Sequence, residues 1–165
     1  MITSFRVLLD ACTLVPATLR DVILCSADNE LFRPKWSGQI LDEMERALIR
    51  LQVPPERAGY TRRQMERAFP EAEVAGYESL VERMRNDPKD RHVLAAAVRG
   101  GAQLIVTANI SDFPDGVLKD FAITAVTPDE FLKDLLGLYP SQMLAMLREL
   151  VQAKRRPPMT ELEIL

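Results

Sequence analysis

One histidine and two cysteines in 165 residues leave little room for several kinds of chemistry. Cys12 and Cys25 make no Cys-x-x-Cys pair, so neither a zinc site nor a disulfide framework is implied. Two free thiols suit a reducing compartment. Nothing approaches the roughly 18 apolar residues of a membrane span. The opening MITSFRVLLD lacks the basic start and long apolar run of a signal peptide. Both absences lead to the expectation of a cytoplasmic protein without membrane contact. Internal repeats and low-complexity tracts are missing. So is a large excess of either charge: the net value of -3 argues against histone-like polyanion binding, yet permits a local basic groove beside an acidic site.

What is present is the composition of a globular protein, 47% hydrophobic and 27% charged, long enough to bury most of its apolar surface. Residues 87–114, DPKDRHVLAAAVRGGAQLIVTANISDFP, are the most informative stretch. Asp87 and Pro88 make a helix start, Gly100-Gly101 a helix stop, and LIVT a fully buried strand opening into a polar loop. Ligands of a parallel sheet bind beyond the carboxyl ends of its strands, which draws attention to Thr107, Asn109 and Asp112.

The rest of the chain repeats this alternation. Residues 5–9 predict a first strand ending at Asp10, and Thr13 or Thr18 opens the next helix, with Pro16 near its first turn. Pro34 demotes residues 31–36 to a loop or an edge strand. Ser37 caps a helix to about Arg50, whose stripe is Ile40, Leu41, Met44, Ala47, Leu48 and Leu51; Glu43 borders its buried face. Residues 61–69 and 77–84 predict short helices, and 72–75 and 122–126 brief strands. Thr127-Pro128-Asp129-Glu130 starts another helix. Residues 141–154 form a strongly periodic one, which Pro157-Pro158 stops before TELEIL. Helices alternating with strands predict an α/β fold, a parallel sheet covered on both faces. The divisions expected are 1–136 for the main domain and 137–165 for a carboxy-terminal helical extension.

In such a fold Asp10, Glu43, Asp90 and Asp112 can meet only through tertiary structure. Two carboxylates about 4 Å apart repel by roughly 4 kcal/mol at an effective dielectric of ~20, comparable to a domain's net stability. A cluster of them needs a cation. Oxygen ligands without thiolate or imidazole select Mg2+ or Mn2+, ions suited to phosphodiester hydrolysis by a metal-activated water.

LLDACTL, WSGQILDEMERAL, residues 87–114 and ITAVTPDEFL together resemble the PIN-domain nucleases, particularly the VapC-type toxins of bacterial toxin–antitoxin pairs. The resemblance covers residues 5–136, in order, with 87–114 its most specific part. It implies a metal-dependent endoribonuclease with an acidic pocket. Asp10 matches the first-strand aspartate, Glu43 the helix glutamate, Asp90 the aspartate opening a later helix, and Asp112 the acid of the Asn-x-x-Asp-Phe loop. Asp10, Asp90 and Asp112 would hold one or two ions, with Glu43 binding metal or orienting water, and Thr107 and Asn109 would form the polar shell. Homodimers, an RNA substrate and a small antitoxin partner are implied too.

Several residues have competing readings. Asp42 or Glu45 could take the place of Glu43, and Asp115 or Asn109 could share the task of Asp112. Arg91 either binds phosphate or is simply solvated. His92, some 200° around a helix from Asp90, reads as structural or surface. Cys12 reads as a small buried filler and Trp36 as core in preference to a base-stacking platform. DACTL also resembles the Asp-x-Asp-x-Thr loop of phosphatases, with Cys12 in place of the second aspartate. A catalytically silent RNA-binding module is a further alternative.

Overall fold

The strand β1, Arg6–Leu9, lies at the centre of a five-stranded sheet, and Val7, Leu8 and Leu9 have no solvent exposure. The computed structural model describes residues 5–154. A short helix α1, Ala11–Leu14, follows, capped by Asp10, and α2, Ala17–Asp28, begins after Pro16. Neither expected threonine caps α2; Thr13 Oγ1 instead donates to the Val106 carbonyl at 3.1 Å. Then come β2, Arg33–Ser37, and α3, Gly38–Arg50, where Ser37 Oγ accepts from the Ile40 amide at 3.1 Å as its cap residue should.

The second strand corrects the reading of Pro34, because β2 is interior, between β1 and β3. Successive amides of a strand point to opposite neighbours. Arg33 N bonds to Phe5 O on the β1 side, and Trp36 N to Ala72 O on the β3 side. Position 34 shares the β3 side, where pairing begins only at Trp36 with Glu73. The missing donor of Pro34 therefore costs no sheet hydrogen bond.

Helix α4, Pro55–Ala68, is longer than expected, since Pro55 starts it where an amide donor would be unpaired anyway. After β3, Glu73–Val74, the stretch Glu78–Arg83 is a 3-10 helix. A 3-10 turn, Pro88–Asp90, leads into α5, Arg91–Arg99. The chain leaves α5 with Gly101 at φ +67°, a conformation that favours glycine, and a Cβ on Gly100 would sit 2.7 Å from Val74 Cγ2. Then follow β4, Leu104–Val106; a 3-10 turn, Ile110–Asp112; α6, Asp115–Leu118; and β5, Thr124–Val126. Two helices, α7, Pro128–Leu138, and α8, Pro140–Lys154, complete the described residues; the expected proline stop and TELEIL tail lie outside them.

All strand pairs are parallel, in the order β3-β2-β1-β4-β5. The chain first steps outward from β1 to β3, then crosses back to β4 and on to β5. Right-handed connections place helices of the outward steps on one face and those of the return on the other. Helix α5 accordingly packs across β2, β1 and β4, while α3 covers β2 from the other face and α8 lies against α2 and α7. Phe32 and Phe131 meet edge to face with centroids 5.0 Å apart, fastening α7 onto the sheet. Trp36 is fully buried, edge to face with Phe69, as expected of a core residue. The step direction reverses between β1 and β4, so the crevice beyond their carboxyl ends is the topological switch point. No helix among the described residues is long and apolar enough to cross a membrane.

Candidate active site at the switch point

Asp10 stands at the carboxyl end of β1, and its amide bonds to Val106 O, 3.1 Å away on β4. One carboxylate oxygen caps α1, accepting from Ala11 N at 2.8 Å; the other accepts from Thr107 Oγ1, also at 2.8 Å. Thr107 has no exposure, and its hydroxyl also receives the Asn109 amide at 3.0 Å. Burial raises the Asp10 carboxyl above its ordinary range, with a further contribution from Glu43; the bonds from Thr107, Ala11 and Cys12 oppose the rise.

Asp90 arrives from the turn before α5. Asp87 caps that turn through the Lys89 amide at 3.1 Å, as expected, and Asn86 Nδ2 donates to Asp90 O at 2.9 Å. The Asp90 residue is only 7% exposed, and its Oδ2 is buried without a donor. Its carboxyl is pushed up to about 7, first by burial, then by a hydrogen bond with Asp112 and by the charges of Asp10 and Asp112. Asp112 is held below the usual carboxylate range by Lys89, whose Nζ lies 2.9 Å from its Oδ2, and by Asp90. A bond from Asp87 N to Asp112 O, 3.2 Å, ties the two turns together.

Glu43 comes from α3. Asp42 and Glu45, its competitors, are engaged elsewhere by the Arg62 guanidinium of α4. Glu43 instead borders an open depression of about 430 Å³, shared with Asp10, Cys12, Asp90, Asn109 and Lys89. Asp112 does not line it but abuts Asp90; Asp115 does not line it either. Arg91 lies outside too, its Nε donating to Asn86 O at 3.1 Å. The cations that do line it are Lys89, Arg46 and Arg50. The arginines were recoverable from sequence: positions 43, 46, 47 and 50 share one helical face.

Two further residues border the site. Cys12 is half-buried beside the chemistry, its Sγ 3.5 Å from Asp10 Oδ2 and 3.4 Å from the Ala108 amide. Burial and the charge of Asp10 raise its thiol, so it is predominantly protonated at neutral pH. His92 is buried, which leaves the structural of its two readings, and its Nε2 lies 2.8 Å from Glu43 Oε1. The helical angle correctly separates it from Asp90, but it cannot reveal that α3 supplies an acid on the other side.

The crevice thus gathers Asp10, Glu43 and Asp90 with Asn109, backs them with Thr107, and sets Asp112 behind Asp90. Among the described residues, no three of His, Cys, Asp and Glu close around a point as ligands of an ion would. A hard cation nevertheless fits the chemistry of this donor set. The groups are oxygens, burial and, to a lesser extent, neighbouring carboxylates raise two of their protonation equilibria, and one buried carboxylate oxygen has no donor.

A family model described as "PIN domain" matches residues 6–111, well over half of the chain. The chain belongs to the PIN-domain family. Asp10, Glu43, Asp90, Thr107 and Asn109 of this PIN domain all fall inside the match, and Asp112 is the first residue beyond it. A second model, "VapC50 C-terminal domain", matches residues 128–165. A Mycobacterium tuberculosis protein named "Putative ribonuclease VapC50" is 49% identical over 85 residues, 52% of this chain and 50% of that protein. The match thus spans about half the length of this curated relative.

Proposed function

We propose that this PIN-domain protein is a metal-dependent endoribonuclease, the toxin of a toxin–antitoxin pair. One observation carries the reading: carboxylates from three separate elements meet at the switch point, and one of the two that are buried there, Asp90, has an oxygen without a donor. Charges of one sign are not held together against desolvation without a compensating role. Asp10, Asp90 and Asp112 would hold one or two Mg2+ or Mn2+ ions, and Glu43 would bind metal or orient the attacking water. The bound cation would supply charge neutralisation and an activated water for attack on a phosphodiester, with no covalent nucleophile required.

The chain's own groups prepare this chemistry. Thr107 fixes one oxygen of Asp10 while the α1 amide fixes the other, so the aspartate enters the reaction with little rotational freedom. Lys89 balances Asp112. Arg46 and Arg50, which make no ion pair among the described residues, offer charge to the phosphates flanking the scissile bond, a task better suited to them than to Arg91. RNA is the substrate, the setting is the cytoplasm, and a small antitoxin would act by occluding the crevice of a homodimer. The nuclease domain would end near residue 136, with α8 belonging to a carboxy-terminal extension whose last residues, 155–165, lie outside the described ones. The printed name of the mycobacterial relative and its second matched model support the toxin reading.

The phosphatase alternative is weakened by Cys12, which stands where a general acid is needed; burial and the Asp10 charge raise its thiol, making it a poor proton donor near neutral pH. Incubation of mixed RNA with Mn2+ separates the nuclease from a silent RNA-binding module. Wild type should cleave, and Asp90→Asn should not. Absence of cleavage by wild type, or equal cleavage by both, defeats the proposal.

A further inference from the structure

We infer that His92 is a positioning residue for Glu43, and that through Glu43 it sets the metal affinity of the crevice; this rests on the nuclease reading above. His92 is 6% exposed, so both ring nitrogens have left water. Neither makes a well-aligned hydrogen bond, and Nδ1 has no polar partner. Among the described residues its ion-pair contact is with Glu43, Nε2 lying 2.8 Å from Oε1 at an angle outside hydrogen-bond geometry. An imidazole buried on these terms is costly, and leucine or phenylalanine would fill the same space more cheaply. The polarity at this position therefore serves the carboxylate.

The placement explains how. Glu43 leans across from α3, and the glutamate chain has three rotatable bonds that would otherwise let its head sweep the opening. His92, on the first turn of α5 and two residues after Asp90, is carried by the same rigid element that delivers Asp90. Glu43 makes no other hydrogen bond or ion pair among the described residues, so Oε1 against the imidazole leaves Oε2 free for the crevice. One helix thereby fixes the spacing of two carboxylates that come from opposite faces of the sheet. A ligand-orienting partner of this kind typically governs metal affinity by about 10- to 100-fold.

The test uses the full chain, Mn2+ alone and a double-mutant cycle. In wild type, Mn2+ binding is measured by electron paramagnetic resonance, and RNA cleavage is measured as separate kcat and KM. His92→Leu should weaken Mn2+ binding by at least about tenfold. It should lower kcat at subsaturating metal and leave KM for RNA unchanged. His92→Gln, which keeps an N–H, should recover most of the affinity and keeps the test available should the leucine variant not fold. In a Glu43→Gln background, His92→Leu should have little further effect. The positioning role is overturned if His92→Leu, or His92→Gln when leucine does not fold, changes melting temperature alone. It is also overturned if the loss is as large without the Glu43 carboxylate as with it. Failure of wild type to bind Mn2+ or cleave RNA sinks the nuclease reading and this inference together. Normal wild type and impaired Glu43→Gln, with an unaffected His92→Leu, sinks the inference alone.

Discussion

Helix α3 presents two sets of acids whose fates differ. Asp42 and Glu45 turn toward α4 and share the Arg62 guanidinium, with Glu66 of α4 nearby at 3.7 Å from Nε. Glu43, between them in sequence, turns toward the crevice and meets only a buried imidazole. The first set is a solvent-side ion-pair network gathered around one guanidinium; the second belongs to a group of carboxylates that repel one another. Counting acids along the helix does not separate the two. What separates them is whether a cation of the protein already stands opposite, and the unanswered acid belongs to the site proposed above.

Substitutions on the two sides should therefore differ in kind. The largest effect is expected from Asp10→Asn, which should lower Mn2+-dependent RNA cleavage by more than the roughly 100-fold attributed to loss of a ligand-orienting group. A single-turnover assay checks it. Survival of cleavage would mean that this set of acids is structural after all.

Next is Thr107→Val, which deletes the hydroxyl held against Asp10 at 2.8 Å. Loss of a buried hydrogen bond to a charged group should cost about 1–3 kcal/mol of stability and be visible in a denaturant titration. Because that bond favours the ionised carboxylate, its removal should also raise the Asp10 equilibrium further and move the acid limb of the pH–rate profile upward.

A smaller change, of opposite sign, is expected for Asp90→Asn in metal-free protein. The Asp90 carboxyl rises from 3.8 to about 7 on folding, so between those values the folded state holds a proton that the unfolded state has released. Stability therefore declines as pH increases through that window. Asp112, held low, titrates beneath it. The asparagine variant lacks this decline and should melt a few degrees higher than wild type at pH 8, with the gap closing near pH 4. Added Mn2+ should reverse the order by stabilising wild type alone. A melting series with and without metal decides it.

The smallest effect belongs to the answered set. Arg62→Ala breaks partly exposed ion pairs and should cost about 1 kcal/mol or less, with cleavage unchanged. A loss of activity comparable to that of Asp10→Asn would erase the distinction between the two sides of α3.

Much of the architecture was legible because local rules and tertiary context agree. The Ser37 and Asp87 caps, the glycine stop after α5 and the buried LIV strand all stand where propensity places them. Pro34 was misjudged because tolerance for proline depends on how far the neighbouring strand extends, and β3 is only two residues long. The contacts of His92 and Cys12 were not legible because each is made with residues distant in sequence: Glu43 for the histidine, Thr107 and Ala108 for the thiol.

By itself, the sequence determined the helix and strand alternation, and through its motifs it pointed to the four acids proposed for the site and to the hard cation proposed for an all-oxygen set. Only the tertiary structure decided which acid of α3 faces the crevice and that Asp112 abuts Asp90 without lining it. Periodicity is a property of one element and can be read along the chain. Pairing is a property of two elements, and the partner of a charge is known only when both have been placed.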